Sequence, residues 1–227
     1  MNLLAFDTST AATAVCLLRA DGQAFEVVPP ASALSARPGH ARELLPAIAL
    51  VLEQAGLGFD DLDSLAVGVG PGAFTGLRIG IATARAAASA RSLLVRPVSS
   101  LAALAAGAGS DHTLAVIDAR RGEAFAALHR GDEVLWPPFV ADPGALGARL
   151  RETGTTPTAV GDGALRFRDV LEAAGARVAP DDSPLHVIRA LHVCRLAGEG
   201  PAVAPEAILP HYLRMPDAVP TSTSSHP

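Results

Sequence analysis

Residues 65–80, LAVGVGPGAFTGLRIG, place Gly68, Gly70, Gly72, Gly76 and Gly80 within thirteen positions. Glycine at that density lets backbone N–H groups come close to an anion or to a partner surface. Phosphate transfer through a Walker-type loop would need a Lys-Ser/Thr pair, yet the chain has no lysine and Thr75 stands alone, so that route is excluded. Residues 68–73 also fit the pattern G-x-G-x-x-A. No acidic residue follows about 20 positions later to hold a ribose, which argues against a dinucleotide site.

The other groups able to do chemistry are few. Asp7 and Asp118 each end an apolar run, and Asp162 stands between Gly161 and Gly163. His40 and Glu43 are three apart and share one face of a helix, but no third metal ligand is placed beside them, so a solvated helix start is the plainer reading. His186 and His192, six apart, fall on different helical faces and make no site. Cys16 and Cys194 each lie inside an apolar stretch and read as buried free thiols. The chain has no G-x-S-x-G elbow, no H-E-x-x-H and no reactive Cys/His pairing, so nucleophilic and zinc-hydrolytic mechanisms lack their parts.

Composition narrows the partners. The formal charge is −5, and all eighteen positive side chains are arginines scattered along the chain. No basic stripe of the kind that tracks nucleic-acid phosphates is present, so if RNA is involved this chain is not its main binder. The first residues carry no signal-peptide pattern, and no run reaches the roughly 18 apolar residues of a membrane span, which predicts a cytoplasmic protein with no membrane contact.

The elements that must position these groups read as α/β. Strands are predicted over 3–8, 13–19 and 23–28, a helix over 40–55 closed by Gly56, a strand over 65–69, and a helix capped by Thr75 and running to about Leu93. A shorter helix is predicted from Ser99. At an offset of 111, Leu3-Leu4-Ala5-Phe6-Asp7 overlies Leu114-Ala115-Val116-Ile117-Asp118, and Arg19 and Asp21 overlie Arg130 and Asp132. Both copies run strand, aspartate, turn, strand, which predicts two related lobes. The second continues through a linker containing Pro137, Pro138 and Pro143, a helix over 144–152, a strand over 158–160, a tight turn at Gly161-Asp162-Gly163, and a helix over 184–197 opened by Pro184. The division predicted is a first lobe over 1–107, a second over 108–216, and a disordered tail over 217–227.

The helix after the glycine block is small-faced: Gly76, Gly80, Ala84 and Ala87 follow steps of three or four. Ile79, Ala82, Ala86 and Ala90 line an adjacent face, so the helix needs cover on two sides. The chain's own first helix is one candidate cover, and a partner helix is the other.

A hairpin ending in an acidic turn, repeated once, resembles the actin, hexokinase and Hsp70 ATPase superfamily. Within it the chain is similar to the TsaB (YeaZ) family through Asp7-Thr8-Ser9-Thr10, the block from Gly70 to Gly80, Asp118-Ala119-Arg120, Gly161-Asp162-Gly163-Ala164 and Pro210-His211-Tyr212-Leu213-Arg214. The resemblance implies two actin-like, RNase H-like lobes, each with a mixed five-stranded sheet and flanking helices. It implies a non-catalytic accessory subunit that binds and activates a TsaD-like transferase for threonylcarbamoyladenosine formation in tRNA beside the anticodon. TsaD carries an H-x-x-x-H metal motif, and Ser100 and Leu104 stand in its place here, neither able to ligate through nitrogen. No cofactor is expected on this chain alone, with ATP and metal belonging to the assembled complex. A TsaE-like ATPase, tRNA held through the complex, and a homodimer are the further partners implied. The implied partner interface comprises Leu45, Ile48, Leu52, Gly76, Ile79, Gly80, Thr83, Ala84 and Ala87. Asp7, Thr8, Ser9, Gly161, Asp162 and Gly163 would form a vestigial nucleotide loop. A self-sufficient ATP-dependent transferase or kinase, with Asp7 and the Gly161-Asp162-Gly163 turn on the nucleotide, is the rival reading.

Overall fold

In the computed structural model, which describes residues 1–213, β1 (Leu3–Asp7) and β2 (Ala14–Leu18) are buried along nearly their whole length. Strands of four to seven residues that are apolar on both faces need cover on both faces. Leu4, Phe6, Val15 and Leu17 turn one way, toward α1 (His40–Ala55) and α2 (Phe74–Arg91). Leu3, Ala5, Ala14 and Cys16 turn the other way, into a core shared with the second half of the chain.

The first sheet has the order β3-β2-β1-β4-β5, where β3 is Ala24–Val27, β4 is Ser64–Gly70 and β5 is Leu94–Ser99. Its first three strands are antiparallel, while β4 and β5 join parallel to β1. After α3 (Ser100–Ala108), the second sheet repeats that order as β8-β7-β6-β9-β10. Here β6 is His112–Arg120, β7 Glu123–Arg130, β8 Glu133–Ala141, β9 Thr158–Val160 and β10 Arg177–Val178. The internal repeat read from the sequence is therefore a repeat of topology. Asp7 pairs with Ala14 and Asp118 with Ala124, so both aspartates close the hairpin in the same place.

Helix α3 and α7 (Ala190–Glu199) lie between the two sheets, and α4 (Pro143–Glu152), α5 (Asp162–Arg166) and α6 (Arg168–Ala173) cover the far face of the second. The segment after α7 returns to the first sheet: Val203 bridges Val95, and the His211 N–H donates to the Val69 carbonyl at 2.8 Å. Among the described residues no helix is long and apolar enough to cross a membrane.

Several local expectations change. Thr75 is exposed and caps nothing; Ala73 precedes the helix, and its N–H is already committed to the Ser9 carbonyl at 2.7 Å. Pro137 and Pro138 lie inside β8, an edge strand where a missing N–H leaves no ladder bond unmade. The helix expected over 184–197 is a short 3-10 turn at Pro184–His186 followed by α7, because the buried His186 ring is tied to the carbonyls of Ala179 and Pro180. Asp162 begins α5 and is not part of a bare turn. The tail expected over 217–227, and Arg214 of the last motif, lie outside the described residues.

Candidate functional site

The glycine block packs on the chain's own first hairpin. A Cβ at Gly68 would stand 1.8 Å from Asp7 Oδ2, at Gly72 2.4 Å from the Ser9 carbonyl, at Gly76 2.0 Å from the Thr8 carbonyl, and at Gly80 2.5 Å from Thr8 Oγ1. Four of the five glycines therefore exist to let β4 and α2 close on residues 7–9. The close approach that the sequence predicted is real, and its object is the Asp7-Thr8-Ser9 turn.

That turn is sealed. Asp7 is 1% exposed; its Oδ1 accepts the Ser9 N–H at 2.7 Å and Ser9 Oγ at 2.6 Å, and its Oδ2 accepts Ser100 Oγ at 2.7 Å. Ser100 in turn accepts the Gly70 N–H at 3.2 Å, and Thr8 Oγ1 donates to the Gly76 carbonyl at 2.8 Å. Ser100, one of the two residues standing where TsaD has imidazoles, is thus used to hold Asp7, and Leu104, the other, is buried in the core between the sheets. A buried carboxylate needs such partners, and here the chain supplies donors to both oxygens.

The second lobe repeats the device with different donors. Asp118 Oδ1 accepts the Arg120 N–H at 2.8 Å, and Asp162 Oδ1 accepts the Asp118 N–H at 3.0 Å. Gly161 (φ 107°) could carry no side chain, since a Cβ there would meet the Val116 carbonyl at 2.1 Å; the corresponding position at Gly163 would meet the Ile117 backbone at 2.8 Å. The Gly161 N–H donates to His186 Nδ1 at 3.0 Å. Burial pushes the Asp162 carboxyl above the usual carboxylate range. The residues proposed as a nucleotide loop therefore form two separate, internally bonded turns, one per lobe.

His40 and Glu43 meet on Thr13: Thr13 Oγ1 lies 2.8 Å from His40 Nδ1 and donates to Glu43 Oε2 at 2.8 Å. With its single proton given to Glu43, the hydroxyl receives the Nδ1–H of His40, which leaves Nε2 as an unprotonated, unpartnered atom beside Gly76. Among the described residues no group of three His, Cys, Asp or Glu side chains could hold a metal ion. Burial lowers the His40 pKa below its ordinary value of 6.5, against smaller opposing effects of Thr10, Glu43 and Asp7. The unfolded chain then binds a proton that the folded chain refuses, so this contribution to stability is present above pH 6.5 and is lost as pH falls toward the lowered value. The urea midpoint is expected to fall between pH 7 and pH 5.5, and to fall less in His40→Gln. Equal falls in both would contradict it.

The helical candidates divide by burial. Ile48, Leu52, Gly76, Gly80 and Ala84 are enclosed by the chain itself, because they form the inward faces of α1 and α2 against the sheet and Thr8. Leu45 is 62% exposed, and Ile79, Thr83 and Ala87 are half-buried. The right-handed connection from β4 through α2 to β5 sets α1 and α2 side by side, with Leu45 and Ala49 on one flank and Ile79, Thr83 and Ala87 on the flank that faces it. Outside this seam, Leu50 and the small residues Ala82, Ala86 and Ala90 are also exposed.

Sequence reasoning missed a second surface. Phe74 stacks on Tyr212 at 5.4 Å, and the Arg78 guanidinium lies 3.8 Å from the Phe74 ring centre. Nothing short of the return of the C-terminal segment to β4 and β5 could have brought these residues together.

Comparison with known proteins bears on both lobes. Residues 27–135 match the family described as TsaD: tRNA N6-adenosine threonylcarbamoyltransferase. Over nearly the full length, the chain is 32% identical to the tRNA threonylcarbamoyladenosine biosynthesis protein TsaB of Escherichia coli (strain K12), covering 94% of this chain and 95% of that protein. A solved Pseudomonas aeruginosa protein with similarity to peptidase YEAZ superposes with a TM-score of 0.78 at 30% identity, over 94% of this chain and 99% of that one. YeaZ from Pseudomonas aeruginosa superposes with a TM-score of 0.76 at 29% identity, over 92% and 100%.

Proposed function

The chain belongs to the TsaB (YeaZ) family, and from that premise we propose that it serves tRNA threonylcarbamoyladenosine biosynthesis as a non-catalytic subunit that binds and activates a TsaD-like transferase. The observation that carries the reading is the state of Asp7. In an actin-like enzyme this carboxylate would face the metal and phosphates of a nucleotide; here both of its oxygens accept hydrogen bonds from the chain's own serines. Asp118 is likewise committed, to Arg120 and Arg166. ATP and metal are assigned to the assembled complex.

The partner surface is the seam between α1 and α2, through Leu45, Ile79, Thr83 and Ala87 with the exposed small residues of α2. The match of residues 27–135 to the transferase family supports this, since related lobes can pair through like faces. Activation acts by preferential binding to one state of the transferase. A TsaE-like ATPase and a homodimer through the same seam complete the set of partners, with tRNA held through the complex. The test adds this chain to the purified transferase with threonylcarbamoyl-adenylate and tRNA. Transfer is expected to accelerate with saturation near one chain per transferase. Acceleration that needs no transferase, or none at all, refutes the reading.

A further inference from the structure

The turn between β6 and β7 is built from residues that its backbone disfavours. Arg120, Arg121 and Gly122 have φ of 64°, 55° and 82°. Glycine adopts such angles freely, whereas the Cβ of arginine crowds the neighbouring carbonyl. Two-residue hairpin turns of positive φ ordinarily use Asn-Gly or Asp-Gly, and here the first place is Arg121. Arg120 occupies the irregularity where the ladder shifts between Asp118 and Arg120, a site that suits glycine. Backbone strain of this kind persists where the side chains are needed in place.

What those side chains offer is unneutralised guanidinium. The nearly buried Asp118 receives Nη1 of Arg120 at 3.2 Å and Nη1 of Arg166 at 3.3 Å on the same oxygen, Oδ2. One carboxylate balances one guanidinium, so the group keeps a net positive charge. The two arginine side chains are 59% and 50% exposed, and each has five N–H donors. Residues 120–122 are all exposed, and Arg166 also borders a cleft of about 920 Å³ beside Phe167 and Arg168.

We infer that Arg120, Arg121 and Arg166 form a phosphate-contacting element of this subunit, and that its ligand is the phosphodiester backbone of the RNA being modified. The inference rests on the reading of the chain as part of a tRNA-modifying assembly. Guanidinium is suited to phosphate because its fork matches two oxygens at once. RNA fits better than a free nucleotide because the turn protrudes, whereas small-ligand sites enclose what they bind. One or two phosphate contacts also agree with a chain of charge −5 that has no basic stripe: the RNA is held mainly elsewhere and touched here.

The experiment titrates fluorescein-labelled, unmodified tRNA transcript into the chain alone and into its mixture with the transferase, across a salt series. Arg120→Ala with Arg166→Ala is expected to weaken binding roughly three- to tenfold at low salt and to flatten the salt slope by about one to two. ATP or inorganic phosphate at matched ionic strength should leave that difference in place. Arg121→Gly should lower RNA affinity without lowering the melting temperature, a combination that a purely structural turn would not give. If the double variant melts early, Arg166→Ala alone carries the comparison. Unchanged affinity and slope, or a difference erased by ATP, overturns the inference. The turn lies on the second sheet and α1 and α2 on the first, so these variants should still bind the transferase. Loss of that binding in variants of the α1–α2 seam would count against the partner reading and leave this one standing.

Discussion

Leu45→Glu combined with Ala87→Glu is expected to weaken association with the transferase at least about 100-fold, some 2.7 kcal/mol, while leaving the melting temperature near that of the natural chain. Leu45 is 62% exposed and Ala87 half-buried on the flank of α2 that faces it, so the free subunit can solvate both carboxylates. A partner helix lying in the seam would bury them without counter-charge, and unpaired buried charge is among the costliest defects an interface can carry. Ala84→Glu would not serve, although the small-residue spacing places it in the same set. Ala84 is fully buried against the sheet, and a glutamate there would disrupt the fold before it reached any interface. Co-purification of the tagged variant with the transferase is the measurement; full yield would remove the seam from the account.

Gly76→Ala is expected to cost about 3–5 kcal/mol of folding stability, the largest loss of any single methyl in this chain's first lobe. Its Cβ would lie 2.0 Å from the Thr8 carbonyl, a backbone atom that cannot rotate aside, and 3.2 Å from His40 Nε2. Gly80→Ala should cost less, about 1–3 kcal/mol, because the obstructing atom is the Thr8 hydroxyl, at the price of its bond to the Gly76 carbonyl. Gly198→Ala is the control: it lies exposed in α7 with nothing within 4 Å, and alanine there should stabilise by about 0.5–1 kcal/mol. Urea midpoints of the three variants give the order directly. A Gly76→Ala protein as stable as the natural chain would mean that α2 does not clamp the Asp7 turn.

How much of this was legible in the sequence follows from the range of each interaction. The first lobe's hairpin, α1 with its Gly56 stop, and the repeat at an offset of 111 rest on local periodicity and chain order, and they appear as read. β5 escaped notice because Arg96 and Pro97 interrupt its alternation and two helices flank it closely. α7 was placed too early because Pro184 signals a helix start, while the reason the helix waits until Ala190 is a contact of His186 with residues 179–180 and Gly161. In the site, the residue types were visible and their partners were not. Nothing in the spacing of Asp7 and Ser100, 93 positions apart, shows that one caps the other. The same holds for the small face of α2: its periodicity was plain, but only the packing reveals that Gly76, Gly80 and Ala84 serve the chain's own hairpin and that the half-buried flank beside them is the part left over.

The threonylcarbamoyl transfer assay with Asp7→Asn in place of the natural chain tests the central claim most directly. The account holds that Asp7 is a structural acceptor, so the variant should melt a few degrees lower, as about 1 kcal/mol requires in a chain of this size, and should still accelerate the transferase at its natural rate per folded molecule. Transfer lost by several hundredfold from a variant that remains folded and bound to its partner would show that this carboxylate takes part in the chemistry, and the non-catalytic reading would fall.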